Sequence, residues 1–104
     1  MSGPEALAGQ VQELIRFRIR PGAEPDLLRD REAAVAALRE RFGLLDSRLA
    51  RTAEEGVWLD TMLFPSAAAA DRALAEEMDV PAFARWVAHV AELVSSERFE
   101  LVRR

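Results

Sequence analysis

The sequence predicts an α+β fold in which the elements follow one another as β-α-β-β-α-β. Two observations support this order: segments with alternating apolar side chains, which are typical of strands, and longer stretches between them that carry helix start and stop signals. The segment from 57 to 64, VWLDTMLF, is central because both of its faces are largely apolar. Such a strand is expected in the interior of a sheet that is covered on both sides.

Composition narrows the class of protein. The 104 residues suffice for one domain with a modest core. The formal net charge is −4, whereas a nucleic-acid-binding protein typically carries a basic surface. No apolar run approaches the ~18 residues of a membrane span. Cysteine is absent, which excludes disulfides and thiolate ligands. We expect a cytoplasmic protein with a flexible N-terminal arm over 1–10, which lacks the features of a signal peptide, and a single domain over 11–104.

The first strand is predicted from 11 to 20, where one face carries the apolar residues Val11, Ile15, Phe17 and Ile19. Pro21 and Gly22 end it. A helix follows from about Pro25, with acidic residues in its first turn, and ends near Arg41, before Gly43. An apolar stripe, as expected for a helix that packs on a sheet, comprises Leu27, Leu28, Ala34, Val35, Leu38 and Phe42.

The segment from 44 to 52 predicts a weaker strand at an edge of the sheet, joined by a short turn to the central strand as an antiparallel hairpin. Ser66 is a candidate N-cap of the second helix. Pro81 interrupts that helix, and a further helical segment is predicted from Pro81 to about Ser95. Its sheet-facing side chains are expected to be Phe83, Val87, Val90 and Val94. The last strand is predicted from 97 to 102.

This order is the split βαβ, or ferredoxin-like, arrangement, with a four-stranded antiparallel sheet and both helices on one face. The other face of the sheet would be bare, although the central strand is apolar on that side as well. A second copy of the chain is the simplest cover for such a surface. We therefore predict a homodimer in which sheet packs on sheet, with no nucleic-acid or membrane partner.

Three short motifs accompany this element order: Arg-Pro-Gly at 20–22, Phe-Pro-Ser at 64–66 and Pro-Ala-Phe at 81–83. On these features the chain, from about 11 to 103, resembles the dimeric α/β-barrel superfamily, and within it the antibiotic biosynthesis monooxygenase-like group. The resemblance implies a dimeric α/β barrel with a pocket between the helices and the sheet of each subunit. It also implies functions that include cofactor-free oxygenases, haem-degrading enzymes and polyketide cyclases.

The chain departs from the family at three positions. Phe64 stands where the central strand often ends in Trp, and Ala73 stands where a His commonly follows about nine residues later. Ile15 stands where haem-degrading relatives carry an Asn on the first strand. These departures argue against haem binding by the usual residues, and no cofactor is expected.

The family pocket suggests a polar pair. If Phe64 faces the pocket as its counterpart does in the family, strand parity places Trp58, Asp60 and Met62 there as well. Arg31 lies in the middle of the apolar stripe of the first helix, and such breaks of pattern concentrate at functional sites. One interpretation makes Arg31 a clamp for a phenolate, enolate or carboxylate, with Asp60 as the base. The other is a structural ion pair, or an Arg31 that reaches past the helix to water.

The remaining candidates are aromatic residues and one histidine. His89, predicted on the last helical segment, could transfer protons or lie at the rim of the pocket. A lone histidine gives no support to a metal site. Trp58 and Trp86 could sandwich an aromatic ligand or serve as core packing. The predicted substrate-binding set comprises Phe17, Trp58, Met62, Phe64 and Trp86.

Together, the residues and the resemblance imply a homodimeric, cofactor-independent oxygenase or related polyketide-tailoring enzyme for a small hydrophobic or aromatic molecule. In this hypothesis Asp60 or His89 abstracts a proton and Arg31 stabilises the anion. The alternative is a dimeric barrel that binds a small ligand without making a bond. Haem binding ranks lower, and a structural dimer with a filled core is also compatible with the pattern.

Overall fold

The computed structural model describes residues 9–102, so positions 1–8 of the predicted arm and the last two residues of the predicted domain lie outside the described residues. Its elements are β1 (Val11–Ile19), α1 (Glu24–Phe42), β2 (Asp46–Arg51), β3 (Val57–Phe64), α2 (Ala67–Glu76), α3 (Pro81–Val87) and β4 (Val90–Glu100). A 3₁₀ turn, Glu77–Asp79, lies between α2 and α3. The predicted order is confirmed, with the second helical region divided at Pro81.

The four strands form one antiparallel sheet in the order β2-β3-β1-β4. β2 lies at an edge and β3 in the interior, as predicted, and the two pair as a hairpin. Ile15 of β1 lies opposite Asp60 of β3 and Ser96 of β4. These three side chains therefore share a face, because directly opposed residues in an antiparallel sheet point to the same side.

The core lies between this face and the helices. It contains buried side chains from both layers, among them Phe17, Trp58, Met62, Phe64, Leu27, Leu38, Phe42, Phe83 and Trp86. α1 ends at Gly43, whose φ of 73° lies in the left-handed region that glycine adopts without steric cost. At the start of α2 the hydroxyl of Ser66 accepts a hydrogen bond from the backbone N–H of Ala69, as expected for an N-cap.

The predicted apolar stripe of α1 is confirmed except at its margin. Leu27, Ala34, Leu38 and Phe42 are buried, whereas Leu28 is 45% exposed. At 100° per residue Leu28 lies at the border of the stripe, where a helix on a sheet meets solvent.

The predicted helix from Pro81 to Ser95 is wrong beyond Val87. The chain forms β4 from Val90 onwards and pairs with the whole length of β1. Short apolar runs fit helical and strand periods alike, and pairing decides here because the backbone of β1 would otherwise lack partners on that side. Val90 and Val94 therefore belong to the sheet, and the last strand begins at Val90 rather than at residue 97.

The face of the sheet turned away from the helices, called the open face below, includes Leu14, Leu59, Thr61, Leu63 and Phe99. The three β3 residues of this set are half-buried, and Phe99 is 44% exposed. The central strand β3 was expected to be covered on both faces. Within a single chain the helices cover only one of them. No helix within residues 9–102 is long and apolar enough to cross a membrane.

Candidate functional site

A cavity of about 240 Å³ lies between the sheet and the helices. Its walls are mostly apolar, with Asp60 and Glu77 as the acidic residues among them. The lining residues are Ile15, Phe17, Asp60, Met62, Leu74, Glu77, Met78, Phe83, Trp86, Val87, Val90, Leu93 and Ser96. An apolar cavity with a few polar groups is the usual form of a small-molecule site.

Asp60 is the buried end of a polar network. Its side chain has no solvent exposure and accepts three hydrogen bonds: one from Nη1 of Arg31 at 2.6 Å, one from Nη2 at 3.1 Å and one from the hydroxyl of Ser47 at 3.1 Å. Nη2 of Arg31 also donates to Oγ of Ser47 at 2.6 Å. The structure thus brings Asp60 and Arg31 together in a two-pronged ion pair, the geometry that guanidinium and carboxylate favour.

Burial sets the protonation behaviour of this carboxyl. Loss of hydration raises the pKa of Asp60, and the hydrogen bonds and charge of Arg31, together with the Ser47 hydroxyl, oppose the rise. Both carboxylate oxygens are occupied by donors. The network therefore holds Asp60 in one position, turned toward Arg31 and Ser47.

Trp86 joins this network to the cavity. The guanidinium carbon of Arg31 lies 5.9 Å from the centre of its ring, and Phe17 meets the same ring edge to face at 5.6 Å. Phe83 packs against it at 5.8 Å. The indole Nε1–H is buried and has no hydrogen-bond acceptor within residues 9–102. A buried donor without an acceptor is unfavourable.

Glu77 is the functional candidate that sequence reasoning missed. It lies in the 3₁₀ turn, and burial together with the charge of Glu13 raises its pKa to about 7. No ion pair or hydrogen bond to its carboxyl is present among the described residues. The sequence offers one weak signal, an acidic residue just before the break at Pro81, because its place at the cavity depends on how the turn folds over the sheet.

The other predicted site residues divide into two groups. Phe17, Met62 and Trp86 line the cavity with Asp60, whereas Trp58 and Phe64 do not. Trp58 lies under the guanidinium of Arg51, 4.9 Å from the ring centre, and lines a separate surface groove. Phe64 lines a smaller neighbouring cavity of about 60 Å³.

His89 lies between α3 and β4 and does not line the cavity. Its Nε2 is 2.7 Å from Oδ2 of Asp30 on α1, and this hydrogen bond lowers the pKa of Asp30. Asp30 is distant from His89 in the sequence, so the spacing of residues around His89 did not reveal this acidic partner. Within residues 9–102 no group of three or more possible ligands is placed to hold a metal ion.

The two positions that bear on haem are both apolar in this fold. Ile15 lines the cavity, and Ala73 is buried on α2. Neither side chain has an atom that could ligate iron.

No family model matches the chain, and no curated protein matches it. Solved structures match over nearly its whole length. A Caulobacter crescentus protein named as an antibiotic biosynthesis monooxygenase is 19% identical, with 95% of each chain covered and a TM-score of 0.70. SnoaB of Streptomyces nogalater, a cofactor-independent oxygenase, is 21% identical, covering 93% of this chain and 95% of its own, with a TM-score of 0.66. A Mycobacterium tuberculosis protein is 22% identical, covering 92% and 98%, with a TM-score of 0.63.

The chain has the fold of the antibiotic biosynthesis monooxygenases. The resemblance stated from the sequence motifs is therefore confirmed at the level of the fold, together with the ferredoxin-like element order. One fold supports many chemistries, so the function of this chain has to be argued from its own cavity.

We expect Arg31→Met to destabilise the folded protein by about 3–5 kcal/mol, because it leaves the buried carboxylate of Asp60 without its cation. Arg29→Met is the matched control on the same helix. Arg29 is exposed and pairs with Asp26 and Asp30, so its loss should cost less than ~1 kcal/mol. Urea unfolding at a fixed protein concentration measures both. Equal losses would contradict a special role for the buried pair.

We expect Glu77 to lower stability as the pH rises. In the folded state its carboxyl holds a proton up to about pH 7, against 4.5 for the ordinary group. The protonated carboxyl therefore contributes its full stabilisation below pH 4.5, and this contribution is lost as the pH rises through about 7. The free energy of unfolding falls by roughly 3 kcal/mol at most.

Urea unfolding of wild type and of Glu77→Gln, above and below this pH range, tests the assignment. The variant should gain stability relative to wild type as the pH rises. Glu76→Gln removes a neighbouring carboxyl that is paired with Arg41 and should show no such trend. Parallel pH profiles for wild type and Glu77→Gln would contradict the expectation.

Proposed function

We propose that this chain is a homodimeric, cofactor-independent enzyme of the cytoplasm that oxygenates a small hydrophobic, aromatic molecule. The cavity carries the proposal: a mostly apolar space between the sheet and the helices, where the family resemblance implies a pocket, with Asp60 and Glu77 among its lining residues. SnoaB, which shares the fold, supports the reaction class as an analogy.

The size of the cavity sets the size of the ligand. About 240 Å³ lies below the ~300–1,000 Å³ of typical drug-sized sites. A molecule of one or two fused rings suits this volume, and the surrounding phenylalanine and tryptophan rings suit flat aromatic surfaces. The proposed substrate is therefore a compact phenol or aromatic ketone rather than a long polycyclic one.

The proposed reaction needs no cofactor because the substrate supplies the electrons. Removal of a proton gives a phenolate or enolate, which is electron-rich enough to reduce dioxygen. One oxygen atom enters the ring as a carbonyl and the other leaves as water, so that RH₂ + O₂ gives RO + H₂O. The residues of the chain bind the ring, exclude water and handle the proton.

The second copy belongs on the open face. Leu14, Leu59 and Leu63 lie there on neighbouring strands, and Phe99 extends the apolar surface to the edge strand. A patch of this kind on a sheet is self-complementary across a two-fold axis, and packing sheet on sheet would complete the coverage of β3. The helices and the cavity lie on the other side, so each subunit keeps its own site.

The oxygenase proposal is tested with an oxygen electrode and a panel of one- and two-ring phenols and aromatic ketones. We expect wild type to take up oxygen with some members of the panel. Leu74→Trp should reduce uptake at least tenfold, since Leu74 lines the cavity and the larger ring fills it. Ala75→Trp, at the next exposed position of α2, is the control. Tight binding of a panel member without oxygen uptake would contradict the oxygenase proposal and support a protein that binds a small ligand without catalysis.

The dimer is tested by light scattering coupled to size-exclusion chromatography. We expect a dimer for wild type and a monomer for Leu63→Arg, because the substitution places a charge in the proposed sheet-on-sheet contact. Leu74→Arg changes the same residue type on the helix side and should remain dimeric. A wild-type monomer at micromolar concentration, or a dimeric Leu63→Arg variant, would remove the support for this interface.

A further inference from the structure

We infer that Glu77 is the general base of the cavity. This assignment rests on the proposed function and deepens it. The substrates it selects are phenols, which have an acidic O–H, and carbonyl compounds with an acidic C–H next to the carbonyl. It moves the proton-accepting role away from Asp60 and His89.

Asp60 is unsuited to the role of base. Its two carboxylate oxygens together accept three hydrogen bonds, from Arg31 and Ser47. A base needs a lone pair within hydrogen-bond reach of the substrate proton. Every bond that Asp60 gave up to reach a ligand would remove a partner from the half-buried guanidinium of Arg31 or hydroxyl of Ser47, so Asp60 serves to hold Arg31 against Trp86.

Glu77 has the opposite surroundings. It lines the cavity but makes no ion pair or hydrogen bond within residues 9–102, so its lone pairs are free for a ligand. Partial burial raises its pKa to about 7, where a carboxylate combines substantial ionisation with increased basicity. The two carboxyls of one cavity thus differ in role because their environments differ.

The charged groups around Glu77 come from several strands. Glu13 of β1 repels its charge and contributes to the raised pKa. Arg98 of β4 pairs with Glu13 at 3.3 Å and with Asp71 of α2 at 2.7 Å. Asp60 of β3 is neutralised by Arg31. None of these arrangements gives Glu77 a cation of its own.

The step is a simple proton transfer. The substrate C–H or O–H bond breaks, the proton passes to the carboxylate of Glu77, and the electron pair moves into the carbonyl or ring system. The negative charge collects on the carbonyl or phenol oxygen. No electrons leave the substrate in this step, so it requires no oxidant and can be observed without oxygen.

Hydrogen–deuterium exchange of β-tetralone in D₂O isolates this step from oxygenation. β-Tetralone is a two-ring ketone with acidic C–H bonds, and proton NMR under nitrogen follows their exchange. We expect wild type to accelerate exchange above the buffer rate, with a rise around pH 7 as Glu77 ionises. Glu77→Gln should bind β-tetralone, as quenching of tryptophan fluorescence reports, yet lose ~10²-fold or more of the acceleration.

Two further variants make the test specific. Glu76→Gln is the neighbouring control and should exchange like wild type. Glu77→Asp keeps a carboxylate and should retain part of the acceleration together with its pH dependence.

The outcomes separate this inference from the proposed function. Wild-type exchange in Glu77→Gln, or exchange that is lost equally in Glu76→Gln, overturns Glu77 as the base. Binding of β-tetralone by wild type without accelerated exchange also overturns it, while oxygen uptake with phenols would still support the oxygenase. Absence of binding overturns the assignment of enolisable two-ring ketones as ligands.

Discussion

The ion pair between Asp60 and Arg31 constrains how the helices lie on the sheet. Asp60 is on the interior strand β3, Arg31 on α1, and Ser47, which bonds to both, on the edge strand β2. An unpaired charge at this depth would be strongly unfavourable, so α1 can dock only where its guanidinium reaches the carboxylate. The same docking places Arg31 against Trp86 of α3, and the cavity is the space that this packing leaves beside β4.

Local periodicity was sufficient for the parts of the fold that depend on one segment at a time. Arg31 interrupts an otherwise apolar stripe, and Asp60 alternates with apolar residues on a strand, so both could be assigned to one interior face. The chain after Val87 could not be read in this way. Val90 and Leu93 fit a helical as well as a strand period, and β1, which is distant in sequence, decides between them by pairing with this segment.

Parity along a strand predicts the face of a side chain but not its distance from a cavity. Trp58, Asp60, Met62 and Phe64 share one face, and a strand advances ~3.3 Å per residue, so the outer pair lie roughly 20 Å apart. A cavity of about 240 Å³ is too small to contact both ends. Glu77 was missed for a related reason, because a 3₁₀ turn has no sequence period that would indicate which way its side chains face.

Two carboxyls that line one cavity thus differ in whether their charges are paired. Asp60 is satisfied by three donors and stabilises the packing of its neighbours, whereas Glu77 is left beside Glu13 without a cation. A neutral amide at position 77 would avoid the repulsion and the partial burial of charge, so stability alone does not account for a glutamate there. A site that needs a proton acceptor near neutral pH does account for it, since the feature that destabilises the ionised folded state is the one that makes the carboxylate basic.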